Sequence, residues 1–327
     1  MSDLNLKEKK ILFIAPIFYD YHKIIEKGML DLGAEVYFYP ERNYGLKFSI
    51  VNNFFKNSIE QFQAKHYLKI FNKTSYIDFD YLLVIKGFKM SIEFLDMFRE
   101  SNPKATLIMC QWDSHINNPF SHLIKKFDLS FSFERKDIEV YKTLKYLPNF
   151  YLDDIFSPEV EEQKRIIKND VFFVASYLPE RYNILVNLNE YCENRGLKLK
   201  GVLYISFKTY IKEFLTGNRM KLKYFIFSPL KRHEYLKLWA QSKAILDISS
   251  IKQTGLSQRC IETIEGGKKL ITNNSQLEKE FFYSDEQILI LNNENFDHIA
   301  QFLEKKDTLN KTKYTLLNWL STVFEPK

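Results

Sequence analysis

The chain predicts an α/β protein built as two doubly wound domains facing across a cleft, and three observations carry that expectation. Short apolar runs alternate along the whole chain with longer stretches of helical period, the pattern of a parallel sheet flanked by helices. The alternation halts at a polar stretch, residues 157–169, and then begins again with a fresh strand-like run. Hydrophobic residues make up 45% of the 327 residues and charged residues 27%, enough to fill two cores and too apolar for disorder.

In the first half, residues 10–15 read as a strand, 21–32 as a helix closed by Gly33, and 34–39 as a second strand ending at Pro40. Strands at 81–85 and 105–110 flank a helix near 91–100. Short strands at 128–131 and 145–147 flank another around 136–141. The stretch 157–169, headed by Pro158 and rich in acids and bases, is the expected linker. The predicted domains are therefore 1–156 and 157–327, with the last helix placed to pack back on the first.

The second half repeats the plan. Strands are expected at 170–175, 197–203, 224–227, 244–248, 269–272 and 287–291. Helices are expected at 180–195, 231–241, 258–265 and 296–305, with a last one near 310–324. Ligands of such sheets bind at the carboxyl ends of the strands, so the loops there are where chemistry is expected.

Several function classes drop out. Neither half carries GxGxxG after its first strand, and GxxxxGK[ST] does not occur, which counts against a conventional dinucleotide fold and a P-loop nucleotidase. The six histidines show no HExxH or similar spacing, so no bound metal or other cofactor is expected. Three scattered cysteines (Cys110, Cys192, Cys260) suit a reducing compartment. No apolar run approaches the ~20 residues of a membrane span, and the first ten residues hold no apolar signal core. A cytoplasmic protein is the expectation. The net charge of +6 invites an anionic partner, but no nucleic-acid recognition motif accompanies it.

The most informative segment is LDISSIKQTGLSQRCIETIEGGKKLITNN, residues 246–274. A strand runs into a polar loop carrying Gln253 and Gly255, and a helix then opens near Ser257. A helix N-terminus of this kind offers free N–H groups and a positive dipole end to a phosphate. Arg259 could add a fork of donors, and Glu262, one turn on, could accept from a ribose diol. On spacing alone the two read rather as an exposed intrahelical ion pair.

Gly255, Arg259, Glu262 and Gly267 form the pattern of a loop Gly, then R-x-x-E, then a Gly five residues beyond the Glu. This resembles the donor-sugar motif of glycosyltransferases of the GT-B fold, which pairs two Rossmann-like domains. Within them it is similar to the CgeB-like, group 1 branch of polysaccharide and lipopolysaccharide biosynthesis. VIKGF at 84–88, QWDSHINNP at 111–119, SFERKD at 132–137, YLPNFY at 146–151 and FVASYLPERY at 173–182 extend the resemblance along nearly the whole chain. It implies that Glu262 holds the nucleotide ribose, and that Arg259, Arg181 and the Gln253–Gly255 loop lie near the diphosphate. Ala175 stands where relatives usually have a Gly, which shifts the close backbone approach to Ser176. Asp20 likewise stands where relatives often carry a Gly, and no role passes to it.

The resemblance also implies that the first half faces the acceptor and supplies the base. Asp113, just past the strand at 105–110, is the first choice, with His22 and His115 behind it. Lys86 and Tyr21 are expected to line the acceptor side. The expected reaction moves a sugar from a nucleotide-sugar donor to a bacterial surface-glycan acceptor, free or lipid-linked. The alternatives are a nucleotide-sugar epimerase or hydrolase of the same fold, or a non-catalytic nucleotide-binding protein. Two basic, aromatic stretches, 42–73 and 198–243, suit peripheral contact with an anionic membrane, at the cytoplasmic face of the inner membrane if the acceptor is lipid-borne.

Overall fold

The structure of the protein, a computed structural model, describes residues 4–18, 20–250, 253–292, 295–306 and 311–325. The described residues of Met1–Phe150, Lys252–Gly255 and Tyr314–Lys327 make one compact unit, and those of Tyr151–Ile251 and Leu256–Lys313 make a second. The first long segment thus ends at Phe150, six residues before the boundary placed at 156 from composition.

In the first unit six strands run in parallel: β1 (Lys10–Ala15), β2 (Glu35–Pro40), β3 (Tyr81–Ile85), β4 (Thr106–Gln111), β5 (Leu129–Ser132) and β6 (Lys145–Tyr146). Their order is β2-β1-β3-β4-β5-β6. The inner strands are covered on both faces, which is why they read as unbroken apolar runs: Ile11–Ala15 in β1 is buried throughout. The chain leaves β1 to one side for β2 and returns to its other side for β3. The switch point of this sheet lies there. The C-terminal helix Leu316–Phe324 belongs to this unit. Its Trp319 meets Trp112 and Phe150, and its Phe324 meets Tyr81 edge-on. Residues 307–310, at the start of the helix expected near 310–324, lie outside the described residues.

The second unit repeats the design with β7 (Asn169–Ser176), β8 (Leu199–Tyr204), β9 (Phe225–Ile226), β10 (Ser242–Asp247), β11 (Lys269–Thr272) and β12 (Ile288–Ile290). All pair in parallel, in the order β12-β11-β10-β7-β8-β9. The chain moves outward from β7 through β8 to β9, then crosses back to lay β10 on the other side of β7. The switch point therefore falls between β7 and β10.

One expectation needs correction. The supposed linker is a helix, Pro158–Lys164, with Ser157 accepting from the Val160 N–H and Pro158 at its first turn. It is tied into the second unit by Gln241, whose Nε2 donates to Gln163 Oε1 at 2.5 Å. Only Val160 of this helix is buried, so its composition reads as linker. The basic stretch 42–73 forms two helices, Leu46–Phe54 and Ile59–Thr74. The longer one turns Ile59, Gln63, Tyr67, Ile70 and Thr74 inward and Lys65, Lys69 and Lys73 outward, the ordinary arrangement over a core. The side chain of Lys56 lies outside the described ones.

Candidate functional site

Chemistry-bearing side chains gather at the carboxyl ends of the strands in each unit. In the second unit they ring the switch point. Arg181, in the first turn of the helix Pro179–Arg195, reaches back across two strand ends: its Nε donates to the Ile248 carbonyl at 3.0 Å and its Nη1 to the Ser176 carbonyl at 3.2 Å. Backbone oxygens thus fix the guanidinium without neutralising it. Burial pulls its pKa below the usual arginine value, and Asp247 pulls the other way. A cation so placed favours an anionic ligand. Ser176, at the end of β7, is exposed beside it.

Facing these strand ends is the N-terminus of the helix Gln258–Glu265, capped by Ser257, whose Oγ accepts from the Cys260 N–H at 3.1 Å. Arg259 is not paired with Glu262, as an exposed intrahelical pair would be. Its Nη1 donates to Asp247 Oδ1 at 2.6 Å, and Cys260 Sγ lies 3.2 Å from Asp247 Oδ2. Burial opposes the charge of Arg259, and Asp247, Tyr235 and Cys260 together outweigh it, so the pKa is raised. The Nε of Arg259 and the Oη of Tyr235 are buried without hydrogen-bond partners among the described residues. Such groups are rare in a folded interior and mark a place where a ligand or water completes the bonding.

Glu262 is 1% exposed, and both its oxygens are held by Arg232: Nη2–Oε1 at 2.7 Å and Nη1–Oε2 at 3.1 Å. Arg232 also grips Asp154 through Nε–Oδ2 at 2.8 Å and Nη2–Oδ1 at 2.6 Å. Burial works against the charge on Arg232, but the two carboxylates outweigh it and hold its pKa above the usual value. Arg232, Asp154, Asp247 and Tyr235 were not among the residues expected from sequence. Asp247 was legible only as the last polar residue of a strand, and nothing in the chain flags Arg232 or Asp154.

Two glycines of the motif have local reasons. A Cβ on Gly255 would lie 2.4 Å from the Phe133 ring and 2.8 Å from its carbonyl. The N–H groups of Thr254 and Gly255 donate to Glu134 Oε2 at 2.6 and 3.0 Å, and the Thr254 hydroxyl donates to Oε1. This short segment, with Gln253 partly buried at its start, is part of the first unit. Packing on Phe133 and Glu134 accounts for Gly255. Gly267, at φ +70°, closes the far end of the helix from Ser257. Eight residues at ~1.5 Å each put it about 12 Å from the helix N-terminus, so it ends the helix rather than touching a ligand there.

In the first unit, Lys86 follows β3 and Asp113 follows β4, and their side chains pair at 2.5 Å between Nζ and Oδ2, both about a quarter exposed. Lys86 and Gly87 both adopt left-handed backbone, at φ +67° and +62°. For Lys86 this costs on the order of 1–3 kcal/mol. The turn is held by many bonds. The Lys86 N–H donates to the Cys110 carbonyl, Gln111 and Asn118 both donate to the Lys86 carbonyl at 3.1 Å, and the Phe88 N–H donates to Glu41 Oε2 at 2.9 Å. Glu41 is fully buried, and its other oxygen has no partner among the described residues.

The remaining expectations fare differently. His22 is buried and stacked on Phe38 at 5.0 Å, and burial lowers its pKa. His115 packs against Phe120 and Tyr141, and its Nδ1 accepts from the Phe120 N–H at 3.2 Å. Both rings pack against aromatic side chains. Tyr21 is buried in an aromatic group with Trp112 and Phe150 instead of facing an open acceptor side. Among the described residues no cluster of three or more His, Cys, Asp or Glu is placed to hold a metal ion, and no helix is long and apolar enough to cross a membrane.

The chain matches no protein-family model and no curated protein. It is similar in structure to an α,α-trehalose-phosphate synthase (UDP-forming) from Burkholderia xenovorans in complex with glucose-6-phosphate, at TM-score 0.60 and 11% identity, over 96% of this chain and 98% of that one. A glycosyltransferase from Rickettsia africae matches at TM-score 0.57 and 12% identity, over 98% of this chain and all of that one. A putative UDP-N-acetylglucosamine 2-epimerase from Listeria monocytogenes matches at TM-score 0.56 and 10% identity, over 97% of each chain. At these identities the likeness is one of fold. Two six-stranded parallel sheets with flanking helices are the GT-B fold.

Proposed function

We propose that the protein is a glycosyltransferase that moves a sugar from a nucleotide-sugar donor to a bacterial surface glycan. The observation that supports this most is Arg181, fixed by carbonyls across the ends of β7 and β10 beside the helix that Ser257 caps. A departing nucleoside diphosphate develops its negative charge where fixed cations and helix N–H groups stabilise it without reorganising. The reading assigns that work to Arg181, Arg259 and the helix end. Glu262 accepts from the ribose diol after Arg232 yields one of its two contacts, with Asp154 keeping hold of the guanidinium.

In the same reading an acceptor hydroxyl oxygen bonds to the anomeric carbon as the bond to the diphosphate breaks. Asp113 takes the hydroxyl proton, and Lys86 orients its carboxylate. The motif resemblance supports a surface glycan, free or lipid-linked, as the acceptor.

A nucleotide-sugar 2-epimerase is the second reading, favoured by the likeness to the Listeria fold. The test is incubation with UDP-, GDP-, CMP- and dTDP-sugars, with and without a lipid-linked glycan fraction. Nucleotide released only with acceptor supports transfer. Epimerised sugar formed without acceptor moves the assignment to the second reading. Tight binding without turnover leaves a nucleotide-binding protein.

A further inference from the structure

The helix Phe207–Leu215 in the second unit is amphipathic the wrong way round. Its four large apolar side chains point outward: Phe207 is 65% exposed, Ile211 40%, Phe214 60% and Leu215 78%. They recur at i, i+4, i+7 and i+8, one continuous stripe of a helix. The inward side is Thr209, Tyr210 and Glu213. Tyr210 packs its ring on Phe225 and Phe227, and Glu213 accepts from Asn218 Nδ2 at 2.6 Å. Phe207 adjoins the half-exposed Phe227, at 5.7 Å between ring centroids, which widens the patch. A contiguous apolar surface of this kind marks something that covers it.

Charge identifies the cover. Lys208 and Lys212 flank the stripe, Arg219 and Lys221 follow in the next loop, and Lys223, in the short turn Leu222–Tyr224, pairs with Glu193 at 3.8 Å, while the acid of this helix, Glu213, is turned inward. A second copy docking here would set the cations Lys208, Lys212, Arg219 and Lys221 against their own copies. We propose that this helix lies in the interface of an anionic lipid bilayer, with Phe207, Ile211, Phe214 and Leu215 among the acyl chains and the lysines at the headgroups. The contact is independent of which reaction the protein performs, and its test reads binding, not turnover.

The full chain is sedimented with vesicles of phosphatidylcholine alone, and with vesicles in which a third of the lipid is phosphatidylglycerol. The wild type is expected to partition onto the anionic vesicles, more weakly as salt is raised, and to leave the neutral ones largely free. Phe207→Ser with Phe214→Ser and Leu215→Ser, all surface positions, is expected to lose most of the bound fraction at unchanged thermal stability. Lys208→Glu with Lys212→Glu is expected to weaken partition about tenfold or more. Equal binding by the triple-serine variant, equal binding to both vesicle types, or no binding at low salt overturns the proposal. So does light scattering that shows a wild-type dimer and a triple-serine monomer, which would make the patch a self-interface.

Discussion

Arg232 holds both oxygens of the Glu262 carboxylate, at 2.7 and 3.1 Å, and Glu262 is reached by neither Arg259 nor solvent. The motif glutamate is therefore positioned by an arginine 30 residues earlier in the chain, on the helix Arg232–Ala240. Removing one partner of a buried pair strands the other's charge. Arg232→Ala should destabilise the protein by about 2–4 kcal/mol, less than a fully buried pair because Arg232 is a third exposed. Arg232→Met combined with Glu262→Gln should recover part of that loss in urea titrations. An additive loss would show that the two side chains are not coupled.

Asp113→Asn separates binding from chemistry. The substitution keeps the shape beside Lys86 and removes the basic oxygen. Nucleotide affinity should stay within about twofold, while transfer to acceptor should fall by about 100-fold or more. Loss of nucleotide affinity in this variant would place Asp113 in donor binding.

Gly255→Ala tests whether that glycine answers to packing. Its Cβ would come within 2.4 Å of the Phe133 ring, so overpacking should cost about 1–3 kcal/mol. Pairing it with Phe133→Leu should lessen the cost, measured by the midpoint of thermal unfolding. No change in the single variant would refute the packing explanation.

Glu41 should make stability depend on pH. Burial pushes its carboxyl up, the Phe88 N–H, Lys86 and Arg42 pull it down, and Asp113 adds to the rise. The neutral form is thus favoured on folding. That contribution is full below the unfolded carboxyl range of about 4–4.5 and is lost as pH rises through the higher folded value. Glu41→Gln, neutral at every pH, should gain stability relative to wild type as pH rises above the unfolded carboxyl range. Parallel stability curves for the two proteins would contradict the shift.

Much of this was legible along the chain where local rules decide. The strands at 10–15, 81–85 and 269–272 and the helix at 258–265 have the bounds their apolar pattern dictates, since strands buried on both faces leave unbroken apolar runs. The helix Pro158–Lys164 escaped because it buries one side chain, and the helix Phe207–Leu215 because its apolar face is turned outward. The site was legible only in part. Arg181, Arg259 and Glu262 stand out by residue type near loops, but their partners come from other segments. Asp154 and Arg232 are 78 residues apart in the chain, and no spacing rule connects them. His22 and His115 drew attention by type and Gly267 by its place in the motif; the two rings pack against aromatic side chains, and Gly267 ends its helix.

The central claim is that the guanidinium of Arg181, spanning the ends of β7 and β10, receives a nucleoside diphosphate. Calorimetric titration of UDP, GDP and dTDP into the wild type and Arg181→Ala tests it most directly. One nucleotide should bind saturably to the wild type and about 10- to 100-fold more weakly to the variant, the loss of one charge-assisted contact. Equal affinity in the two proteins, or binding of none of the three by the wild type, would contradict it.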